Sequence, residues 1–109
     1  MANALKKLAQ AQLGSSDAAI FTVGGATTYR VFKIVVCNTG TANLTFRLHH
    51  VDSGGSSAAS NALFYDAPLA GKQTLEFGDG LVFETGQMLR GLASAASTIS
   101  VTVVGVSVT

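Results

Sequence analysis

The stretch Ile34-Val35-Val36-Cys37-Asn38-Thr39-Gly40 decides how this 109-residue chain folds. Its apolar run passes directly into Asn-Thr-Gly, which is typical of a strand, buried on both faces, that ends at a turn. An alternating run follows at Leu44–Leu48, as in a strand with one buried face. An eleven-residue polar loop, Asp52–Ala62, comes next. This order predicts the centre of a small β-sandwich.

Turn signals recur at short spacing on both sides of this centre, which is typical of an all-β domain. Pro68 must lie at a sheet edge or outside the sheet, because it has no N–H to donate. The predicted strands are Ala18–Val23, Thr28–Asn38, Thr41–Val51, Leu63–Tyr65, Lys72–Phe77, Leu81–Phe83, Gln87–Ala93 and a last strand from Ile99. About eight strands in one core predict an all-β, single-domain, antiparallel β-sandwich that is jelly-roll-like.

The N-terminal segment is harder to assign. Leu5, Leu8, Ala9 and Gln12 would share one face of a helix, but Leu8–Leu13 can equally run extended. We favour a hairpin or an extended arm over a helix. We therefore divide the chain into residues 1–17, an arm or a hairpin strand, and residues 18–109, the sandwich domain. Met1–Leu13 lies outside the core pattern, so we expect it to contact a neighbouring subunit, for instance by adding a strand to an exposed sheet edge.

The last strand changes phase. Ile99, Val101 and Val103 share one face, whereas Val104, Val106 and Val108 share the other. A β-bulge beside Gly105 is the simplest explanation, because an inserted residue shifts a period-two pattern by one position. A strand of this kind could also pass from a core into a subunit contact.

Charge is scarce in this chain. Only 12% of residues are charged and the net charge is +1, against about 25% in average soluble domains. A surface with so little charge suits permanent contact between subunits. We therefore expect a homo-oligomer, and a trimer in the first place. The residues predicted to make such contacts are Leu5, Lys6, Lys7, Leu8, Val104, Val106 and Val108.

The same composition argues against other partners. The basic residues are scattered, so no stripe or cluster predicts direct binding to nucleic acid. No apolar segment follows Lys6 and Lys7, so no signal peptide is expected. No run approaches the roughly 18 apolar residues of a membrane span.

No residue pattern predicts catalysis. Cys37 is the only cysteine and lies in an apolar strand, so we expect an inert core thiol. His49 and His50 are adjacent, so on a strand they point to opposite faces and cannot bind one metal ion together. The carboxylates form no spaced acid–base pair. We therefore expect no catalytic, metal or cofactor site, and not an enzyme.

Several short motifs follow one another along the chain: Val35–Gly40, Ser60–Leu63, Leu69–Leu75, Gly80–Arg90, Ala93–Ala95 and the Val/Thr-rich tail to Val106. In this order they resemble motifs of small virion proteins of tailed bacteriophages. The likeness extends from about Ala18 to Thr109. It departs from the family pattern at Gly24-Gly25-Ala26, where a Pro-Ala-Gly turn is common, and at Gln87, where Asp is common.

This resemblance implies a β-sandwich virion component, assembled in the host cytoplasm, with the major capsid protein or other virion proteins as partners. A capsid decoration (cement) protein is the first expectation. A tail, fibre or head–tail junction component of the same fold is the alternative. A carbohydrate- or receptor-binding module is a further alternative, weakened because the chain has no Trp and only Tyr29 and Tyr65 as tyrosines.

Overall fold

The computed structural model describes residues 5–78 and 80–109 and contains nine β-strands within them. A single 3₁₀ turn, Ala59–Asn61, interrupts the loop before the fifth strand. The strands are β1 Leu5–Gln12, β2 Ala18–Thr22, β3 Thr28–Asn38, β4 Leu44–Val51, β5 Ala62–Leu69, β6 Thr74–Phe77, β7 Leu81–Phe83, β8 Met88–Ala93 and β9 Ile99–Val108. In this described part, no helix is long and apolar enough to cross a membrane.

The strands form two antiparallel sheets that pack as a sandwich. Sheet A has the order β1-β9-β3-β6, with β7 also paired to β3, and sheet B has the order β2-β8-β4-β5. Most consecutive strands lie in opposite sheets, so the chain crosses repeatedly from one sheet to the other. The predicted all-β sandwich is confirmed, and the possible ninth strand is present as β1.

Strand positions follow the predictions closely. The bounds of β3 and β7 are those predicted, whereas β5 extends well beyond Leu63–Tyr65. Pro68 lies inside β5, which is an edge strand of sheet B, as its missing N–H requires.

Aromatic side chains join the two sheets through the core. The rings of Phe21 in β2 and Phe83 in β7 lie 4.9 Å apart and nearly perpendicular, at 78°. Phe64 in β5 and Phe77 in β6 make a similar edge contact at 4.5 Å and 85°. Edge-to-face pairs of this kind add stability beyond the area that they bury. Each pair links one strand of sheet A to one strand of sheet B, so these contacts fix how the sheets lie on each other.

The Asn38 side chain explains why the decisive stretch ends where it does. Its amide is fully buried, and its Nδ2 donates to the carbonyl oxygens of Ala42 and Leu69 at 2.9 and 3.0 Å. Its Oδ1 accepts from the N–H of Gly40 at 3.0 Å. The turn after β3 is thereby fastened to the end of β5, in the other sheet.

The N-terminal segment is a strand of the sandwich. β1 pairs with β9 from Leu5 to Gln12, and Leu13 is 3% exposed within the core. It is therefore neither a free arm nor a hairpin partner of β2, which lies in sheet B. The expectation that Met1–Leu13 lies outside the core is wrong for Leu13, and Met1–Ala4 is outside the described residues.

The predicted bulge beside Gly105 is not in β9. The alternation of β9 continues unbroken, with Val103 and Gly105 facing the core and Val104 and Val106 facing outward. The register shifts instead in both neighbouring strands, between Lys7 and Ala9 of β1 and between Val31 and Lys33 of β3. The extra residues are thus Leu8 and Phe32.

Close packing of backbone explains why Gly105 lies between the two bulges. A Cβ on Gly105 would lie 2.1 Å from the carbonyl oxygen of Arg30 and 3.0 Å from Cδ1 of Leu8. Any side chain at this position would therefore push β3 away from β9.

The bulge in β3 also corrects its predicted burial on both faces. Val31, Ile34 and Val36 face the core, and Phe32 is exposed. Cys37 is only half-buried, on the outer face of sheet A, so it is not the core thiol that the sequence predicts.

We expect Gly105→Ala to destabilise the fold by about 1–3 kcal/mol, because its methyl group overlaps the Arg30 carbonyl. Thermal unfolding followed by circular dichroism measures the change. Gly25→Ala is the matched control, since nothing lies within 4 Å of a Cβ there. Equal melting temperatures for both variants would contradict the close approach of β3 and β9.

We expect Asn38→Ala to cost about 1–3 kcal/mol, because it leaves the buried Leu69 carbonyl oxygen, the part-buried Ala42 carbonyl oxygen and the Gly40 N–H without their partner. The midpoint of urea unfolding reports it. Asn43→Ala removes an exposed amide that accepts from Gly71 N–H, so its effect should be clearly smaller. The reverse order would show that the Asn38 contacts contribute little.

Candidate interaction surface

The outer face of sheet A is built from cross-strand rows. In one row Leu5 of β1, Val106 of β9, Arg30 of β3 and Val82 of β7 lie side by side. In the next, Lys7, Val104 and Lys33 do the same. Neighbours in such rows are about 4.5–5.5 Å apart at Cβ, so the first row spans about 14 Å. Apolar and basic side chains are therefore interspersed across this end of the sheet.

This face carries most of the large apolar surface that the fold leaves exposed. Four large apolar or aromatic residues are markedly exposed in the described part of the chain, and three of them lie here: Leu5 at 59%, Phe32 at 51% and Val82 at 43%. Isolated exposed apolar residues are common, but a cluster of them indicates an interaction site.

Phe32 stands between two clefts. A cavity of about 210 Å³ lies on one side, bounded by Val31, Gly80, Leu81 and Val82. A second, of about 170 Å³, lies on the other side against Phe77 and Gly78. The bulge turns both Phe32 and Lys33 to the outer face. The result is a protruding aromatic ring with space on either side.

The charge on this face is one-sided. Among the paired strand residues of this face, Lys7, Arg30 and Lys33 accompany one acid, Glu76, a net of +2. Glu84 follows β7 and lines a pocket together with Val82. Lys33 pairs with Glu76 at 2.8 Å, with both side chains more than half exposed, so the pair contributes little stability. Lys7 Nζ donates to Oε1 of Gln10 at 3.2 Å.

The structure brings the two predicted groups of contact residues together, which the sequence did not indicate. Leu5, Lys7, Val104 and Val106 are neighbours on the outer face, because β1 pairs with β9. Val108 continues the same face, opposite Thr28. Lys6 is exposed at the edge strand, and Leu8 packs against the core. Sequence reasoning missed Phe32, Arg30 and Val82, which lie on strands far away in sequence.

The outer face of sheet B, in contrast, is partly covered. The loop before β5 folds over it, and His49 is only 3% exposed although it points away from the core. Nδ1 of His49 lies 3.0 Å from the Ala58 carbonyl oxygen and 2.9 Å from Oδ1 of Asn61, so this nitrogen carries the proton. The sequence places His49 on the outer side correctly, but the loop buries it.

Basic residues on this second face are paired with acids. Arg47 Nε donates to Oδ1 of Asp66 at 2.7 Å and its Nη2 donates to Oδ2 at 3.1 Å. The guanidinium also lies 4.1 Å from the ring centre of Tyr65. Arg90 Nε donates to Asp17 at 2.8 Å. Sheet B therefore presents a nearly neutral outer face.

Asp66 has an unusual backbone conformation that serves its pair with Arg47. Its φ is 54°, in the left-handed region, at a bulge in which Tyr65 and Asp66 lie opposite the single residue Arg47 of β4. Aspartate tolerates this region better than most residues. The hydrogen bonds from Arg47, and secondarily its charge, hold the pKa of Asp66 below its ordinary value.

The largest pocket lies at the end of the sandwich near the β7–β8 turn and has a volume of about 550 Å³. Gln87 makes three hydrogen bonds on the polar side of this pocket. Its Oε1 accepts from the N–H of Glu84 at 2.8 Å and from Nε2 of His50 at 3.1 Å. Its own Nε2 donates to Asp52 at 3.0 Å. The ring of His50 lies on that of Phe83 at 3.9 Å.

Six of the nine residues that line this pocket are polar. Nowhere in residues 5–78 and 80–109 do three His, Cys, Asp or Glu side chains gather as a metal site requires. His49 and His50 point to opposite faces, as predicted. The lining contains no Tyr, Trp or Phe on which a sugar ring could stack.

No family model and no curated protein sequence matches this chain. Among solved structures, a structure of infectious bursal disease virus, Gx strain, aligns with 95% of this chain at 13% identity and a TM-score of 0.46. A structure of the Gt strain aligns with 96% at 12% identity and a TM-score of 0.43. This chain spans 33% and 30% of the length of those two chains. Likenesses of this degree carry no argument about function.

The pair of Arg47 and Asp66 gives a pH prediction. Because the folded pKa of Asp66 is lowered, its stabilising effect is present above its ordinary value of 3.8 and is lost as pH falls through the lowered folded pKa. Asp66→Asn keeps a residue that tolerates positive φ but removes the charge. The small difference in melting temperature between wild type and variant at pH 7 should therefore vanish in strong acid. A difference that is the same at all pH values would show that the charge does not matter.

Proposed function

We propose that this chain is a structural component of a virus particle, and specifically a decoration (cement) protein that binds the assembled head shell of a tailed bacteriophage in many copies. Its motifs resemble those of small phage virion proteins, and its fold is a compact antiparallel sandwich. The observation that carries the proposal is the apolar cluster on the outer face of sheet A, formed by exposed Leu5, Phe32 and Val82 with half-buried Val104 and Val106. Contiguous apolar patches of this kind mark sites of contact with other proteins.

The proposed mechanism is stabilisation by binding. A protein that binds the assembled shell but not its dissociated subunits stabilises the shell by RT ln(1 + [L]/Kd) per site, about 2.7 kcal/mol at a hundredfold excess over Kd. Small contributions at many sites then resist the pressure of packaged DNA. Such a role needs a rigid contact surface and no chemistry.

Self-association, with a trimer as the expected state, is part of this proposal. β1 pairs with β9 along one side only and forms an edge of sheet A. The backbone N–H and C=O groups of its other side are available for a strand of a neighbouring copy. Sedimentation of the purified protein at micromolar concentration tests this, and a protein that stays monomeric both free and on particles would contradict it.

Copy number on purified particles tests the decoration role. We expect the protein in numbers that scale with the shell subunits, measured by quantitative mass spectrometry of the particles. Particles that lack it should rupture at a lower temperature than complete ones. A few copies per particle together with an unchanged rupture temperature would reject decoration and favour the alternative, a tail, fibre or head–tail junction component.

A further inference from the structure

We propose that the outer face of sheet A docks on an acidic, partly apolar protein surface of the head shell, and not on a second copy of this chain. The inference rests on the proposed function and specifies the surface that performs it. Phe32 is the central anchor of this contact. Arg30, Lys7 and Lys33 supply its charge, and Val82, Val104, Val106 and Leu5 surround them.

The outer face of sheet A has an apolar part and a polar border, as protein interfaces do. Its apolar end, with Phe32 and the Val side chains, is bordered along the same face by polar residues. Those at the border are Gln10, Gln12, Ser100, Thr102 and Thr74. Interfaces have such an apolar centre and polar rim, and a few aromatic and Arg side chains carry most of their binding energy. The clefts on both sides of Phe32 would receive side chains of the partner.

Charge decides the kind of partner. The paired strand residues of this face have a net charge of +2, whereas the basic residues on the outer face of sheet B are already paired with acids. Complementary potentials favour association and like charges oppose it. Contact of this face with itself would bring two surfaces of the same net charge together. An acidic partner instead pairs Arg30 and the two lysines.

The chain's own surface offers few acids to match this face. Among the described residues, Asp17, Asp66 and Glu76 are paired with Arg90, Arg47 and Lys33. Asp52 and Glu84 form no ion pair with a described residue, and both line the pocket at the end of the sandwich. A second copy could therefore present only these two described carboxylates without a cation, and they lie at that pocket. Nucleic acid would supply negative charge. The Val and Leu side chains between the cations of this face, however, would find no apolar partner on a phosphate backbone.

Binding to head shells tests the proposal. The probe is assembled, nuclease-treated head shells, lacking this chain, from the phage that encodes it. Phe32→Ser and Arg30→Glu should each weaken binding by about tenfold or more, and added salt should weaken wild type more than Arg30→Glu. Tyr65→Ser and Lys72→Glu are matched controls, an exposed aromatic and an exposed lysine away from this face, and should bind as wild type does. Circular dichroism checks that every variant is folded.

The possible failures are distinguishable. If wild type does not bind the shells at all, the proposed function fails. If wild type binds and folded Phe32→Ser and Arg30→Glu bind equally well, this inference is overturned while the function stands. Two further results also overturn the inference. If Arg30→Glu changes the sedimentation coefficient of the free protein, the face is a contact between copies. If nuclease treatment of the shells abolishes wild-type binding, nucleic acid is the partner.

Discussion

The close approach of the Arg30 carbonyl to Gly105 is the constraint on which the rest of sheet A depends. With no Cβ at position 105, β3 lies directly against β9, and a methyl group there would be 2.1 Å from the carbonyl oxygen. Both neighbours of β9 insert one residue at this level. In β1 the insertion lets Leu8 pack against the core, and in β3 it turns Phe32 and Lys33 outward. Gly105 thus lies level with both insertions, the one that packs Leu8 against the core and the one that exposes Phe32 on the candidate surface.

Much of the fold could be predicted from the sequence, because strand length and burial follow from local pattern. Thr28–Asn38 is predicted to the residue, and the turn after Asn38 follows from its Asn-Thr-Gly. The location of the bulges could not be predicted in the same way. The change of phase at Val103 and Val104 is real in the sequence, but two outward valines and a core glycine produce it without any insertion in β9. The insertions lie in β1 and β3, which pair with β9 although they are far from it in sequence. No local pattern shows that pairing.

The candidate surface was predictable only in part for the same reason. Leu5 and Val106 were each identified from their own segment, yet their contact depends on the pairing of β1 with β9. The outward position of Phe32 could not be predicted, because the bulge in β3 exchanges the two faces of the strand and period-two counting continues across it. A strand pattern gives the right face on each side of a bulge, but it cannot tell how the two sides connect.

The two outer faces of this sandwich differ in charge and in how far they are covered. Sheet B is partly covered by the loop before β5, its arginines are paired with acids, and its buried His49 is satisfied by loop oxygens. Sheet A is bare, apolar at one end and positively charged. Ion pairs on an exposed face contribute little stability, so stability does not require sheet B to be neutral or sheet A to be basic. The asymmetry instead suits a protein that contacts a partner with one face and water with the other, and it restricts the search for the partner to surfaces that are both acidic and apolar.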